Sequence, residues 1–145
     1  MIIALLIAAA LAAVSAPAQA ATTVIRVAPK SIDFGTKKIG LEPLYTTYYD
    51  SVKITNSSRE PLDVLVTAGL PDDFGFGLLP GSDCPVLAPD ELARGESCQA
   101  VVRFTPTPFF ADWLQEGSLT ITATRPGSTE VVAVVEVPVT GTGKL

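Results

Sequence analysis

From residue 22 onward, apolar and polar side chains alternate with a period of two, in short runs separated by Gly, Pro, Asn and Asp. That period belongs to half-buried strands joined by turns, and nowhere does a helical stripe of period 3.6 replace it. Residues 22–28 predict a first strand rich in β-branched side chains, and residues 31–39 a second, interrupted at Gly35. Residues 45–55 predict a longer strand whose even face carries Tyr48, Val52 and Ile54, with Asp50 breaking the apolar line. The cluster Asn56-Ser57-Ser58 stops it as a turn. Leu62, Val64 and Val66 alternate up to Gly69-Leu70-Pro71. Residues 72–97 are looser: only 74–79 reads as extended, and 89–94 predicts one helical turn. Cys98, Ala100, Val102 and Phe104 then alternate with more polar neighbours, as do Leu119 and Ile121 among threonines. In the last strand, 130–140, the odd positions Val131, Ala133, Val135, Val137 and Val139 are expected to point inward. Pro138 cannot donate to a ladder and places its part of that strand at an edge. About seven short strands at regular spacing predict an all-β, antiparallel sandwich in one domain.

The front of the chain follows another pattern. Seventeen of the first 20 residues are apolar, and none is charged. An uncharged run over residues 1–14 is shorter than the ~20 residues that span a bilayer. It ends in Ala18-Gln19-Ala20, the small-x-small pattern at which a leader is cut. The expectation is therefore a cleaved signal peptide over 1–20, a mature domain over 21–145 with no membrane span, and a periplasmic or secreted location. The basic n-region usual in such leaders is missing, Arg26 being the first basic residue, so an uncleaved N-terminal anchor is the competing reading. Export puts Cys84 and Cys98, the chain's two cysteines, in an oxidising compartment, where they are expected to pair. Closing a loop of that length stabilises by about 3 kcal/mol in the chain-entropy model.

Composition removes most catalytic chemistry. The chain contains no histidine, which excludes Ser-His-Asp and Cys-His catalysis, His-ligated zinc and an imidazole switch. A formal net charge of −5 leaves no electrostatic footprint for nucleic acid. Gly95-Glu96-Ser97-Cys98-Gln99 holds most of a nucleophile elbow but lacks its last glycine and any base, and reads as a turn entering a strand. Asp72, Asp73, Asp83, Asp90, Glu91 and Glu96 enrich the loops near the cysteines in carboxylates. Calcium chemistry is open to such oxygens, but their spacing matches no binding loop, so solvated surface is the expectation. No catalytic residue, cofactor or metal ligand is assigned.

Several strings, in order, resemble one family. Ile32-Asp33-Phe34-Gly35, Gly40 and Val52-Lys53-Ile54-Thr55-Asn56 are similar to the opening of the ASH (abnormal-spindle and hydin) domain. The resemblance continues through Gly95-Glu96-Ser97-Cys98, Phe104-Thr105-Pro106-Thr107 and Leu119-Thr120-Ile121, and closes with Gly141-Thr142-Gly143. In type the resemblance is to the bacterial secreted, choice-of-anchor D versions, which commonly carry a cysteine pair like Cys84 and Cys98. It implies an immunoglobulin-like sandwich of seven strands, related to the major-sperm-protein and pilus-chaperone folds, and a structural or binding role without catalysis. The chain departs from the family where residues 88–94 lengthen a short turn, and where Pro108-Phe109-Phe110-Ala111-Asp112-Trp113-Leu114-Gln115-Glu116 replaces a small glycine turn.

That second departure supplies the candidate site. Phe109, Phe110, Trp113 and Leu114 are bulky apolar residues in a loop, either folded back to plug the sandwich or exposed as a contact for a partner. The expected partner is an unidentified envelope or extracellular protein. A pilus-chaperone-like assembly factor acting by strand donation is the alternative, and strand-sharing between copies through the valine-rich last strand stays open. Asn56-Ser57-Ser58 matches the N-glycosylation sequon, yet a strand-ending turn accounts for it without a sugar.

Overall fold

A computed structural model of the chain describes residues 24–145. The expected leader, 1–20, and the first residues of the expected first strand lie outside the described residues. Nine strands and one short helical turn follow in order among those described. They are β1 (Ile25–Ala28), β2 (Ile32–Lys38), β3 (Tyr48–Asn56), β4 (Leu62–Gly69), β5 (Phe74–Phe76), β6 (Asp90–Leu92), β7 (Ser97–Phe104), the 3₁₀ turn η1 (Pro108–Phe110), β8 (Leu114–Thr124) and β9 (Val131–Lys144). They form two sheets, β1-β3-β7-β5 and β2-β9-β8-β4-β6, in an immunoglobulin-like sandwich. The two strands beyond the expected seven include the three-residue pieces β5 and β6 at the outer edges.

The alternation seen in the sequence becomes the core. Val52, Ile54, Ala100, Val102 and Phe104 of one sheet face Val64, Val66, Leu119, Ile121, Val137 and Val139 of the other, all fully buried. Phe34, Phe74 and Phe104 pack at ring-centroid separations of 4.6–6.0 Å. Gly141 lies directly against this cluster, where a Cβ would come within 2.9 Å of the Phe104 ring. At Gly143 a Cβ would meet Pro106 at 2.7 Å, so the closing Gly-Thr-Gly is a requirement of close approach. Cys84 and Cys98 form the expected disulfide; both are buried in the core cluster, tying the irregular 72–97 region to β7.

Five details differ from or sharpen the sequence reading. Pairing is antiparallel except between β2 and β9, which run parallel. The short link after β1 carries the chain from one sheet to the other without a hairpin. Gly35 interrupts β2 as expected: it sits at φ +63°, the register with β9 shifts between Asp33 and Thr36, and Asp33 accepts hydrogen bonds from the Gly35 N–H and the Thr140 hydroxyl. Residues 89–94 form no helical turn. Their centre is β6, paired with Leu62, Asp63 and Val64 of β4, because an open sheet edge satisfies more backbone groups than one isolated turn. Val131 is exposed, against its expected inward orientation, because a register shift between Ala123 and Thr124 flips the alternation at the start of β9. Val132 takes the inward place and packs against the core. The break at Asp50 also finds its cause: β1 ends opposite Lys53, so β3 is an edge at Asp50 and the carboxylate reaches solvent.

Candidate functional site

The ends of β2, β7 and β9 and the starts of β3, β5 and β8 meet at one pole of the sandwich. The loop from Thr107 to Leu114 crosses this pole. It is held by buried polar groups beneath it. Asp73, 6% exposed, accepts hydrogen bonds from the Thr107 N–H (3.1 Å), the Thr107 hydroxyl (2.9 Å) and the Gln115 side-chain amide (2.9 Å). Its own carbonyl accepts from the Thr105 N–H at 2.8 Å. At the far end of the loop, the Asp112 N–H donates to the Gly143 carbonyl at 2.8 Å. The loop is thus fixed to β5, β8 and β9 together.

What it presents outward is apolar. No side chain of η1 is buried; Phe109 is 82%, Trp113 65% and Leu114 63% exposed, and Phe110 is half-buried. Phe110 packs edge-on against Phe109 at 4.7 Å and against Trp113 at 6.4 Å. Phe109, Trp113 and Leu114 thus stand outside the core, which closes with Phe104 and Pro106 before the loop begins. The structure brings all four sequence-assigned residues together at this pole. It adds two that the alternation could not supply, Leu41 and Leu44, both more than 80% exposed. They stand in the β2–β3 loop, anchored to the same pole by the Ile39 N–H to Lys144 carbonyl bond and by the Thr47–Thr105 hydroxyl pair. Their signal was two leucines among Gly40, Glu42 and Pro43, outside any strand pattern. In this loop desolvation, and after it the charge and hydrogen bond of Glu42, push the Tyr45 phenol above its ordinary range.

The other marked residues have structural uses. Ser97 opens β7 and shares a 2.7 Å hydroxyl bond with Thr55. Glu96 accepts the Ala93 N–H at the preceding turn. Asp83 accepts the Gln99 N–H and Asp90 the Glu91 N–H. These loop carboxylates are turn and edge fasteners. Among the described residues, the group of three dense enough to suggest an ion is Asp83 with Cys84 and Cys98, and its two sulfurs are bonded to each other. Asn56 is fully buried. Its amide donates to the carbonyls of Glu60 and Leu92, both at 2.8 Å, while its oxygen accepts from Ser58, which leaves the sequon nitrogen no room for a glycan.

Among the described residues, lateral openings include two larger ones at the sides of the sandwich. One, of about 550 Å³, lies between β1 and β9 and is lined by Ile25, Val27, Val135 and Val137, with Arg26, Lys30 and Glu136 at its rim. The other, about 400 Å³, lies between β4 and β5 and includes Phe74, Phe76, Leu70 and Val86.

Neither a family model nor a curated protein matches the chain in sequence. Solved structures do match its fold. It is similar to the ASH/PapD-like domain of human CEP192 (PapD-like domain 7), at 12% identity and TM-score 0.55, over 99% of this chain and 96% of that one. It is similar to WR4, an MSP family member of C. elegans, at 10% identity and TM-score 0.53, over 83% and 99%. A protein of unknown function from Porphyromonas gingivalis W83 matches at 17% identity and TM-score 0.56, over 82% of this chain and 46% of that one. The chain has the fold of ASH/PapD-like and MSP domains. At these identities the likeness concerns fold alone.

Proposed function

We propose that the chain is an exported, non-enzymatic module of the ASH, choice-of-anchor D type, which binds a protein of the cell envelope or extracellular space through Phe109, Phe110, Trp113 and Leu114. The observation that carries this is the rigid exposure of Phe109 and Trp113. A loop pinned at Asp73 and Gly143 holds large rings in water, where burial against a partner would recover about 25 cal/mol for each Å² of apolar surface covered. Large aromatic rings at the centre of a contact are the residues that dominate binding. Export is supported by the 1–20 leader pattern and by the Cys84–Cys98 disulfide, and absence of catalysis by the lack of histidine. Cross-linking pull-down from envelope extract tests the reading. Wild-type protein is expected to capture a defined partner and Trp113→Ala to lose it. Equal capture by both removes the aromatic contact from the proposal.

Strand donation is the second reading. It is favoured by the edge of β9 over residues 131–138, which among the described residues has β8 on one side and no strand on the other, since β2 pairs only from Val139 onward. Laid by that edge against a client's open sheet, residues 131–138 would supply the added strand, with the β1–β9 opening beside it. A concentration series in size-exclusion chromatography, alone and with a candidate client, distinguishes it from contact through the loop.

A further inference from the structure

We propose that the Thr107–Leu114 loop receives a cationic side chain, a guanidinium or ammonium group carried on an exposed segment of a protein partner. This rests on the reading of the loop as the partner contact and specifies the chemistry it recognises. Phe109, Phe110 and Trp113 stand at steep angles to one another, 81° and 60° between neighbouring planes. Their electron-rich faces therefore point in different directions, and Phe109 and Trp113 are themselves largely exposed to solvent. Between them in sequence is Asp112, exposed and held at φ +64° by its N–H bond to Gly143. Its carboxylate takes no hydrogen bond and no ion pair from any described residue; the ion pair found among those residues joins Arg125 to Glu130.

An unpaired carboxylate next in sequence to Trp113 and two residues from Phe110, in a loop of exposed rings, suits one class of occupant. A guanidinium satisfies both, giving its charge to the carboxylate and its plane to a ring. A purely apolar surface, whether of a protein or of a bilayer, would cover Asp112 together with the rings and leave a buried charge without a partner, at a cost of several kcal/mol. The chain does not fill the place itself. Lys38 and Lys144 face each other across β2 and β9 next to this loop, yet neither lies over one of these rings. The lysine that does sit over a ring is Lys37, 5.4 Å from the centre of Tyr48. A net charge of −5 adds long-range attraction for a basic partner.

Trp113 is the chain's one tryptophan, so its fluorescence reports on this loop alone. The full chain is titrated with a tetra-arginine peptide and with a tetra-citrulline peptide of the same shape and no charge. The expected result is a saturable change with arginine, at least tenfold weaker with citrulline, weakened by added salt, and at least tenfold weaker for Asp112→Asn. Asparagine tolerates the left-handed backbone of this position, so that variant keeps the loop. Equal response to both peptides, full affinity in Asp112→Asn, or no saturable change overturns the proposal. Envelope capture separates it from the broader reading. If Trp113→Ala loses the partner while Asp112→Asn keeps it, the loop is the contact and its cation specificity is wrong; if both variants capture as wild type does, the contact itself is wrong.

Discussion

At the scale of single residues, Asn56 shows how a motif changes meaning once its surroundings are known. As a sequence it is a turn former and a formal glycosylation acceptor. As a structure it is a fully buried polar side chain joining the end of β3 to the 57–60 turn and to β6 through the carbonyls of Glu60 and Leu92. Removing its side chain strands the buried Leu92 carbonyl, at about 1–3 kcal/mol for the unsatisfied group, and takes a further bond, worth about 1 kcal/mol, from the Glu60 carbonyl, which keeps the Ser58 hydroxyl. Asn56→Ala is therefore expected to lower unfolding free energy by about 2–4 kcal/mol, read by urea denaturation with an unchanged m-value. Gly141 makes the matching case for space. The Cβ of Gly141→Ala would overlap the Phe104 ring, and an overpacked core at this point costs about 1–3 kcal/mol. A stability equal to wild type in that variant would mean that Phe104 has room to move.

At the scale of elements, the strands were legible because each buries one face: Leu62-Val64-Val66, Cys98-Ala100-Val102-Phe104 and Leu119-Ile121 all lie inward as their period demands. What the period could not reveal depends on partners distant in sequence. β6 is a strand because β4 offers an edge, and Val131 turns outward because a bulge lies beside it. The candidate loop was legible as an anomaly, four apolar residues where a short turn belongs. Its scaffold was not, since Asp73, Thr107 and Gln115 are up to 42 residues apart and look like ordinary polar loop residues. Their joint role predicts a separation of effects. Asp73→Ala removes three hydrogen bonds from under the loop and is expected to cost about 2–3 kcal/mol, with amide exchange accelerated over residues 107–113. Trp113→Ala removes a mostly exposed ring whose packing is against half-buried Phe110, and is expected to leave the melting temperature within about 2 °C of wild type, the usual scale for surface changes. A large loss of stability in Trp113→Ala would return that ring to the role of a plug.

At the scale of the whole molecule, β9 has a long edge without a partner strand among the described residues, and its composition sets what that edge does. Residues 131–138 of β9 offer unpaired backbone groups beside exposed Val131 and Val134, the arrangement that invites strands of other copies. Two features oppose this. Glu136 places a charge on the edge, and Pro138 withholds an N–H at the last position before β2 takes over the pairing. In an antiparallel meeting of two such edges, a register that pairs Glu136 with its own copy is repelled, and Pro138 removes a ladder bond from each side. The wild-type chain is thus expected to stay monomeric by light scattering at micromolar concentration. Replacing both guards, Glu136→Val with Pro138→Val, leaves an uninterrupted valine-rich edge and is expected to produce concentration-dependent dimers or larger species, with strand content retained. If the double variant stays monomeric over the same range, the β1–β9 opening is closed to strands by its shape, and the strand-donation reading loses its site.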